Sequence, residues 1–355
     1  MSGSVRPSPV GDLCESVCKG SWSVILFGWD DSVEMAMSDR QMSLAEALLD
    51  PRMALHGKLK AFSQVIDWAP LGKLALQVRP GTLGRRPYDV LAMLKALYLA
   101  SLYDLSDPAL EAELIDRVSF RLFCGFALDE VTPDETTLCR FRNDCIAAGI
   151  LEKAFAEVNG QLDAKRLIAR KGTIIDASIV SAASRRPPAE AGAKPSLARE
   201  PGASFTRKNG KSYFGYRLHI GVDAGPGIIR RLALTPAHVN ESSVAEALIL
   251  GDEAAVYADK GYESKKRRRA LKARRVKDRI MHRSHKHQDA LPHWQERRNA
   301  LIAKRRAPVE RVFGNFKRLY RRARVRYANF LHNLGDFQRL ATVYNLRRAI
   351  SVTCP

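Results

Sequence analysis

Residues 173–180 read TIIDASIV, and this stretch decides how the second half of the chain is expected to fold. Its β-branched residues are typical of a buried strand, although Asp176 places a carboxylate within it. Two further strand-like runs follow at 213–223 and 228–235, separated by AGPG at 224–227. A short break rich in Gly and Pro predicts a hairpin. The region therefore begins with three strands, the last two of them antiparallel neighbours.

A helix and a fourth strand complete this unit. Asn240 is expected to cap the helix, and residues 254–258 form a short apolar strand that ends at Asp259. A helical crossover returns the chain parallel to the first strand. If those two strands are neighbours, Asp176 and Asp259 lie close together. The pattern predicts a mixed α/β fold that brings two acids to one place.

Two carboxylates within apolar strands predict a bound cation. An unpaired buried carboxylate is costly, so two that converge require a counter-charge. Hard oxygen ligands favour Mg²⁺ or Mn²⁺. Asp252 and Glu253 compete with Asp259 for the second position, but they precede the strand instead of ending it.

A third candidate acid, Glu310, lies in RRAPVERVFGNFK at 305–317. Pro308 is expected to open a helix whose apolar stripe brings Glu310 to its buried edge. Arg306, four residues earlier, and Lys317, seven residues later, are expected on the same side of that helix. Two metal ions about 4 Å apart at such a site can activate water and stabilise the leaving oxygen of a phosphodiester.

The charge of the chain is concentrated near its end. The 355 residues include 58 Lys+Arg and 38 Asp+Glu, a formal net charge of +20, and residues 261–350 alone hold 27 Lys+Arg against 6 Asp+Glu. This density favours nucleic acid as partner over a merely solvated basic face. Residues 265–277 are expected to form a basic helix that follows phosphates. The side chains predicted to contact DNA are Arg306, Lys317, Lys260, Lys265, Lys266, Arg267, Arg268, Arg140, Arg142 and His238.

Composition and hydrophobic periodicity divide the chain into three regions. Residues 1–40 have no sustained period and are expected to form a poorly ordered extension. Residues 41–168 have helical periodicity and predict an all-helical N-terminal domain that contacts DNA or a partner subunit. Two of its helices fit either a helix-turn-helix or an ordinary helical pair. Residues 169–355 form the α/β domain, in which the Ser-, Pro- and Arg-rich stretch 181–208 predicts a mobile loop.

Several classes of protein are disfavoured. No apolar run approaches the eighteen or so residues of a membrane span, and the apolar stretch at 22–29 lacks the features of a secretory signal. Six scattered cysteines without a CxxC pair predict reduced thiols in the cytosol. Four nearby histidines suggest zinc, but no cysteine accompanies them, and surface or phosphate-contacting positions are favoured for His282, His285, His287 and His293.

Several motifs together resemble one family. TIIDASIV with Asp176, YADKGY with Asp259 and PVERVFGNFKR with Glu310, together with FGYRLHIGVD and LTPAHVNES, resemble bacterial DDE transposases of the insertion sequence five type. The resemblance covers roughly residues 42–350. The wider group has a Tyr-x2-Arg-x3-Glu-x6-Lys signature around the third acid. The arginine, glutamate and lysine of that signature are present here, whereas Ala303 stands at the tyrosine position.

The resemblance implies a ribonuclease-H-like mixed sheet flanked by helices, with an all-helical N-terminal domain. It implies that Asp176, Asp259 and Glu310 hold two Mg²⁺ ions, with Mn²⁺ as a substitute. Water would cleave the phosphodiester at each transposon end, and the freed 3′-hydroxyl would attack target DNA. The implied partners are double-stranded DNA and a second copy in a homodimer, in the bacterial cytoplasm at the nucleoid. The alternatives are a stand-alone nuclease of this fold and a catalytically silent DNA-binding protein.

Overall fold

A computed structural model of the protein describes residues 55, 57–78, 87–184, 200, 202–284 and 290–353. The extension predicted over residues 1–40 lies outside this part of the chain. Within it, no helix combines the length and the apolar character needed to cross a membrane.

Helices fill the described chain before the first strand, which confirms the predicted helical N-terminal region. The third of them, α3, is buried along most of its length, and Asp89 caps it by accepting the Ala92 N–H at 2.9 Å. Asp134 caps α6 in the same way through the Thr137 N–H at 2.7 Å. The bounds are α1 Gly57–Gln64, α2 Ala69–Ala75, α3 Val90–Tyr103, α4 Asp107–Asp116, α5 Val118–Cys124, α6 Glu135–Ala147 and α7 Ile150–Ala164.

A mixed sheet follows, in the spatial order β2-β3-β1-β5-β6, with β4 also paired to β3. Strand β1 is antiparallel to β3 and parallel to β5, and β5 is parallel to β6. Strands β3 and β4 are antiparallel, which confirms the predicted hairpin. The parallel pairing of β5 with β1 confirms the predicted return of the chain after the helix. The strands are β1 Thr173–Ser181, β2 Ser204–Lys208, β3 Lys211–Asp223, β4 Ile229–Pro236, β5 Ala255–Ala258 and β6 Lys277–Ile280.

Helix α8, Glu241–Leu248, makes the crossover between β4 and β5 and begins where the sequence predicts. Its cap is Asn240, whose side-chain oxygen accepts the Ser242 N–H at 2.9 Å. Helix α9, Lys265–Ala273, is shorter than the basic helix predicted over 265–277. Arg275 has a φ of 59°, a left-handed conformation that no helix interior accepts, and the chain turns there into β6.

The helix that carries Arg306 and Glu310, α10, extends from His293 to Gly314 and contains Pro308 in its interior. The prediction that Pro308 opens this helix is wrong. A proline removes one backbone hydrogen bond and crowds the preceding turn. Buried side chains lie on both sides of it, Ile302 before and Val309 and Val312 after, so packing of the whole stripe outweighs the local cost. A short π-helix, Asn315–Leu319, continues α10.

The stretch predicted as a mobile loop contains ordered strand at both ends. Ser181 is the last residue of β1, and residues 204–208 form β2, which pairs with β3 from Ser204↔Gly215 to Lys208↔Lys211. Glu200 is fully buried and accepts the Ser184 N–H at 3.0 Å. The prediction of a loop over 181–208 is therefore wrong at these residues, and residues 185–199 lie outside the description.

The C-terminal helix α11, Phe330–Thr353, holds the two kinds of structure together. It is buried along most of its length and packs against α3, α7 and β4, within the larger of two apolar cores. The smaller core lies on the other face of the sheet and includes Ile175 of β1, Leu248 of α8 and Leu271 of α9. The sheet is thus covered by helices on both faces, as the predicted fold class requires.

A buried ion-pair network connects the helical region to α11. Arg322, which is 2% exposed, donates to Asp336 of α11 at 2.6 Å and to Asp104, directly after α3, at 2.5 Å. Burial alone raises the pKa of Asp336, but Arg322 and Arg339 hold it well below its ordinary value. The ion pair of Arg322 with Asp336 therefore stabilises the fold at pH values above the ordinary pKa of an aspartate. That stabilisation is lost as the pH falls through the lowered pKa of Asp336.

We expect Arg322→Met to lower the free energy of unfolding at pH 7 by about 3–5 kcal/mol, because it leaves Asp336 buried with too little counter-charge. The matched control is Arg321→Met, since the Arg321 side chain is 82% exposed, and it should change stability by less than about 0.5 kcal/mol. Urea denaturation at pH 7 measures both. Equal losses in the two variants would contradict this assignment.

Candidate active site

Asp176 and Asp259 meet because β1 and β5 are parallel and in register. Thr173 pairs with Val256 and Ile174 with Tyr257, so two residues further along Asp176 and Asp259 reach the same level. Asp176 lies within β1, and Asp259 follows the last residue of β5. Each carboxylate accepts the N–H of the next residue, at 2.9 and 2.7 Å. The predicted juxtaposition of these two acids is confirmed.

One arginine lies against both acids. Arg306 of α10 approaches Asp176 with Nη2–Oδ2 at 3.2 Å and Asp259 with Nη1–Oδ1 at 3.8 Å. The side chain of Arg306 is 15% exposed, and those of the two aspartates are 21% and 44% exposed. The guanidinium therefore supplies the counter-charge that two half-buried carboxylates require.

Burial governs the ionisation of Asp176. It raises the pKa of this carboxyl above its usual value, and Asp259 raises it further. Arg306 and the Ala177 N–H act in the opposite direction but do not cancel the effect of burial. Because burial disfavours the ionised form of Asp176, an additional cation close to it would stabilise that form.

Glu310 lies one turn after Arg306 on α10, and α10 packs against both β1 and β5. Its side chain is exposed, between the buried Val309 and Val312, which corrects the prediction that it lies at the buried edge of the helix. Among the described residues, no three Asp, Glu, His or Cys side chains come together as a metal site. The structure brings together two of the three predicted acids.

The donor set nevertheless suits a hard divalent cation. The two aspartates present oxygen atoms at one edge of the sheet, and a positively charged group already lies against both. Oxygen ligands are those that Mg²⁺ and Mn²⁺ prefer. Asp176 and Asp259 therefore have the ligand chemistry of such an ion, and Glu310 lies one helical turn from the bridging arginine.

Two arginines predicted to contact DNA are instead used inside the protein. Arg142, 5% exposed, donates to Asp107 at 2.5 Å and stacks on Tyr327. Arg267, also 5% exposed, donates to Glu246 at 2.9 Å and to the Ser242 carbonyl at 2.5 Å. Their guanidinium groups connect helices and are not available to phosphates, which corrects the prediction for both residues.

The other predicted DNA contacts differ in their exposure. Arg268 is half-buried, joins α9 to β6 through an ion pair with Asp278 at 3.0 Å, and also pairs with Glu263 before α9 at 3.1 Å. His238 is exposed, and its ring Nδ1 lies 2.9 Å from the Ser204 hydroxyl. Lys317 is half-buried on the π-helix. Among the lysines and arginines predicted to contact DNA, the exposed ones are Lys260, Lys265, Lys266 and Arg140.

The competing acids lie elsewhere. Asp252 and Glu253 precede β5, at the opposite end from Asp259, and Asp252 accepts from Arg230 at 2.6 Å. Glu253 is buried and lies 3.7 Å from the same arginine. These carboxylates form an ion-pair group of their own, so the structure favours Asp259 as the second acid.

Three neighbours of the acid pair were missed by the sequence reasoning. Glu241, in the first turn of α8, forms an ion pair with Arg217 of β3 at 3.0 Å. Burial raises the pKa of Glu241 and Arg217 lowers it, while Asp176 and Asp259 are close enough to raise it further. Tyr262 is fully buried, and its hydroxyl has no hydrogen-bond partner within the described residues. The only available signal was the position of Glu241 directly after the helix cap in LTPAHVNES.

The fold and the acid pair together define a class of protein. A mixed sheet covered by helices, with aspartates at the same level of two parallel central strands, is a ribonuclease-H-like arrangement. Residues 168–346, just over half of the chain, match the family described as Transposase DDE domain. Residues 48–144 match a second family, Transposase domain (DUF772). The chain belongs to the DDE transposase family. No solved structure matches it.

We expect Arg306→Gln to lower the free energy of unfolding by about 1–3 kcal/mol at pH 7 in EDTA, between the values for exposed and buried ion pairs. The loss should shrink as the pH falls through the raised pKa of Asp176, because a protonated carboxyl no longer needs the arginine. Denaturation at several pH values measures this. The control is the exposed neighbour Arg305→Gln, and a loss that does not depend on pH would contradict the pairing.

Proposed function

We propose that this transposase is of the insertion sequence five type and is an Mg²⁺-dependent enzyme that cleaves DNA at transposon ends and joins the freed 3′-hydroxyl to target DNA. One observation carries the proposal. Arg306 bridges Asp176 and Asp259 from the helix that also carries Glu310, and these residues fall within the match to the DDE domain. The proposed catalytic residues are the two aspartates and Glu310.

Asp176, Asp259 and Glu310 would hold two Mg²⁺ ions, or Mn²⁺ as a substitute. When bound, such ions activate water or a hydroxyl and stabilise the leaving oxygen of a phosphodiester. The carboxylates orient and retain the ions, and no side chain has to attack the DNA. Asp176 is held by the rigid centre of the sheet, whereas Glu310 has the freedom of an exposed side chain.

Cations around the site would hold the DNA. Arg306 and Lys317 are proposed to contact phosphates next to the acids, and Lys260, Lys265 and Lys266 to contact phosphates further away. Contacts of this kind position a duplex without reading its sequence. Of the arginines on α6, only the exposed Arg140 is retained as a DNA contact.

The remaining assignments follow from the reaction. We propose that residues 41–168 bind DNA or a partner subunit and that residues 169–355 form the catalytic domain. Joining two transposon ends requires both in one complex, which favours a homodimer. The protein would act in the bacterial cytoplasm, at the nucleoid.

We expect Asp176→Asn, Asp259→Asn and Glu310→Gln each to reduce cleavage of the element's own DNA ends in Mg²⁺ by at least about 10³-fold, the effect of losing several kcal/mol of metal-ion stabilisation. The matched control for Glu310 is Glu296→Gln, an exposed glutamate in the first turn of the same helix, which should cleave at nearly the wild-type rate. Single-turnover cleavage on labelled ends measures all four. A Glu310→Gln variant that cleaves like the control would remove Glu310 from the site.

We further expect a labelled donor end to appear joined to target DNA in the same reaction. Cleaved ends that never join would indicate a stand-alone nuclease of this fold. Binding without any Mg²⁺-dependent or Mn²⁺-dependent cleavage would indicate a catalytically silent DNA-binding protein.

A further inference from the structure

The hairpin of β2 and β3 projects from the sheet as a two-stranded ribbon. Within the described residues, β2 pairs only with β3, and β1 ends opposite Gly215, where the ribbon begins. A Cβ at Gly215 would lie 2.2 Å from the Val180 carbonyl, so only glycine lets the ribbon cross the end of β1 this closely. Asn209 and Gly210 form its tip, with φ angles of 50° and 77° that suit a tight hairpin turn.

Side-chain contacts tie the ribbon to residues that neighbour the acid pair. Arg217, which holds Glu241, also donates to the Thr206 hydroxyl of β2 at 3.4 Å. The base of β2 is fixed in turn, since the His238 N–H donates to the Ser204 hydroxyl at 2.9 Å. The rings of Phe205 and Phe214 lie 4.8 Å apart across the two strands and stiffen the ribbon. Strand β2 is therefore held next to Arg217 and Glu241, which neighbour the acid pair.

The exposed tip is strongly basic. Arg207, Lys208 and Lys211 occupy its last pairs, and Arg207 also donates to the Gly210 carbonyl at 3.3 Å. Lys208 lies close enough to Asp176 and Glu241 to lower the pKa of both carboxyls. No described carboxylate lies within ion-pair distance of Lys208. Its ammonium is free to bind an anion.

Lys317 lies on the π-helix, and the chain continues from this helix to the other side of the end of β1. The segment after the π-helix pairs with the end of β1, where the Ser181 N–H donates to the Ala323 carbonyl at 3.0 Å and the Val325 N–H to the Ser181 carbonyl at 2.9 Å. The ribbon and the segment that follows the π-helix thus flank the end of β1. Burial lowers the pKa of Lys317, and the nearby charge of Lys208 lowers it further. Lys208 and Lys317 thus carry two positive charges that act on each other near the end of β1, and such a pair favours an anion.

We propose that the β2–β3 ribbon is a DNA-contacting arm and that its tip residue Lys208 shares one backbone phosphate of a duplex with Lys317, beside the acid pair. The proposal rests on the proposed function, because it takes duplex DNA as the substrate. A two-stranded ribbon also has dimensions that the major groove accepts. A phosphate bound there is placed next to Asp176, where cleavage would occur.

The test measures binding of the full chain to a fluorescent 30-base-pair duplex by anisotropy, in EDTA at about 100 mM salt. Lys208→Gln and Lys317→Gln should each weaken binding about five- to tenfold, the effect of losing one charge-assisted phosphate contact. The double variant should weaken it by clearly less than the product of the two effects. In the free protein the two ammonium groups repel each other, and the shared phosphate relieves this repulsion only when both are present.

The control is Lys171→Gln, an exposed lysine that precedes the opposite end of β1 and should change binding by less than about twofold. A Lys208→Gln variant that binds like this control would overturn the arm, and a double variant equal to the product would overturn the shared phosphate. Because EDTA prevents cleavage, the two proposals can fail separately: the expected binding pattern without cleavage in Mg²⁺ removes the catalytic proposal and keeps the arm. A wild-type chain that does not bind the duplex overturns both.

Discussion

The parallel pairing of β1 with β5 is the constraint on which the site depends. In-register parallel strands bring Asp176 and Asp259 to the same level, so the sheet cannot form without bringing the two carboxylates together. Hydrophobic burial of the surrounding strands forces this repulsion on the protein. Arg306 relieves it from α10, and the position of that helix is therefore coupled to the charge of the site.

The basic composition of the chain has two physical roles. Arg142, Arg267 and Arg322 are buried and bonded to carboxylates that join distant elements, as the short bonds from Arg322 to Asp104 and Asp336 illustrate. Arginine suits this role because its planar fork pairs with a carboxylate through several donors. The exposed lysines of α9 and of the ribbon contribute no such bonds and keep their charge at the surface. The net charge of the chain therefore overstates the number of Lys and Arg side chains that are available to contact DNA.

Local patterns predicted four of the six described strands and their order, but not β2 or β6. TIIDASIV, the AGPG hairpin and the Asn240 cap are each set by neighbouring residues, and the right-handed crossover rule then placed Asp176 beside Asp259. The errors occurred where distant contacts decide. Pro308 lies inside a helix because buried residues on both sides hold it there, and the ordered ribbon at 204–208 depends on its pairing with β3. Likewise, the burial of Arg142 and Arg267 depends on partners that their own helices do not contain.

The same reasoning explains why Glu310 is exposed while its two proposed partners are half-buried. A third ionised carboxylate packed against Asp176 and Asp259 would exceed what the single positive charge of Arg306 can balance. On α10, Glu310 lies one turn away and stays in water, where its charge costs little. Divalent ions would change this balance, because each brings two positive charges to the pair. On the proposed assignment, Glu310 would join the two aspartates in holding those ions.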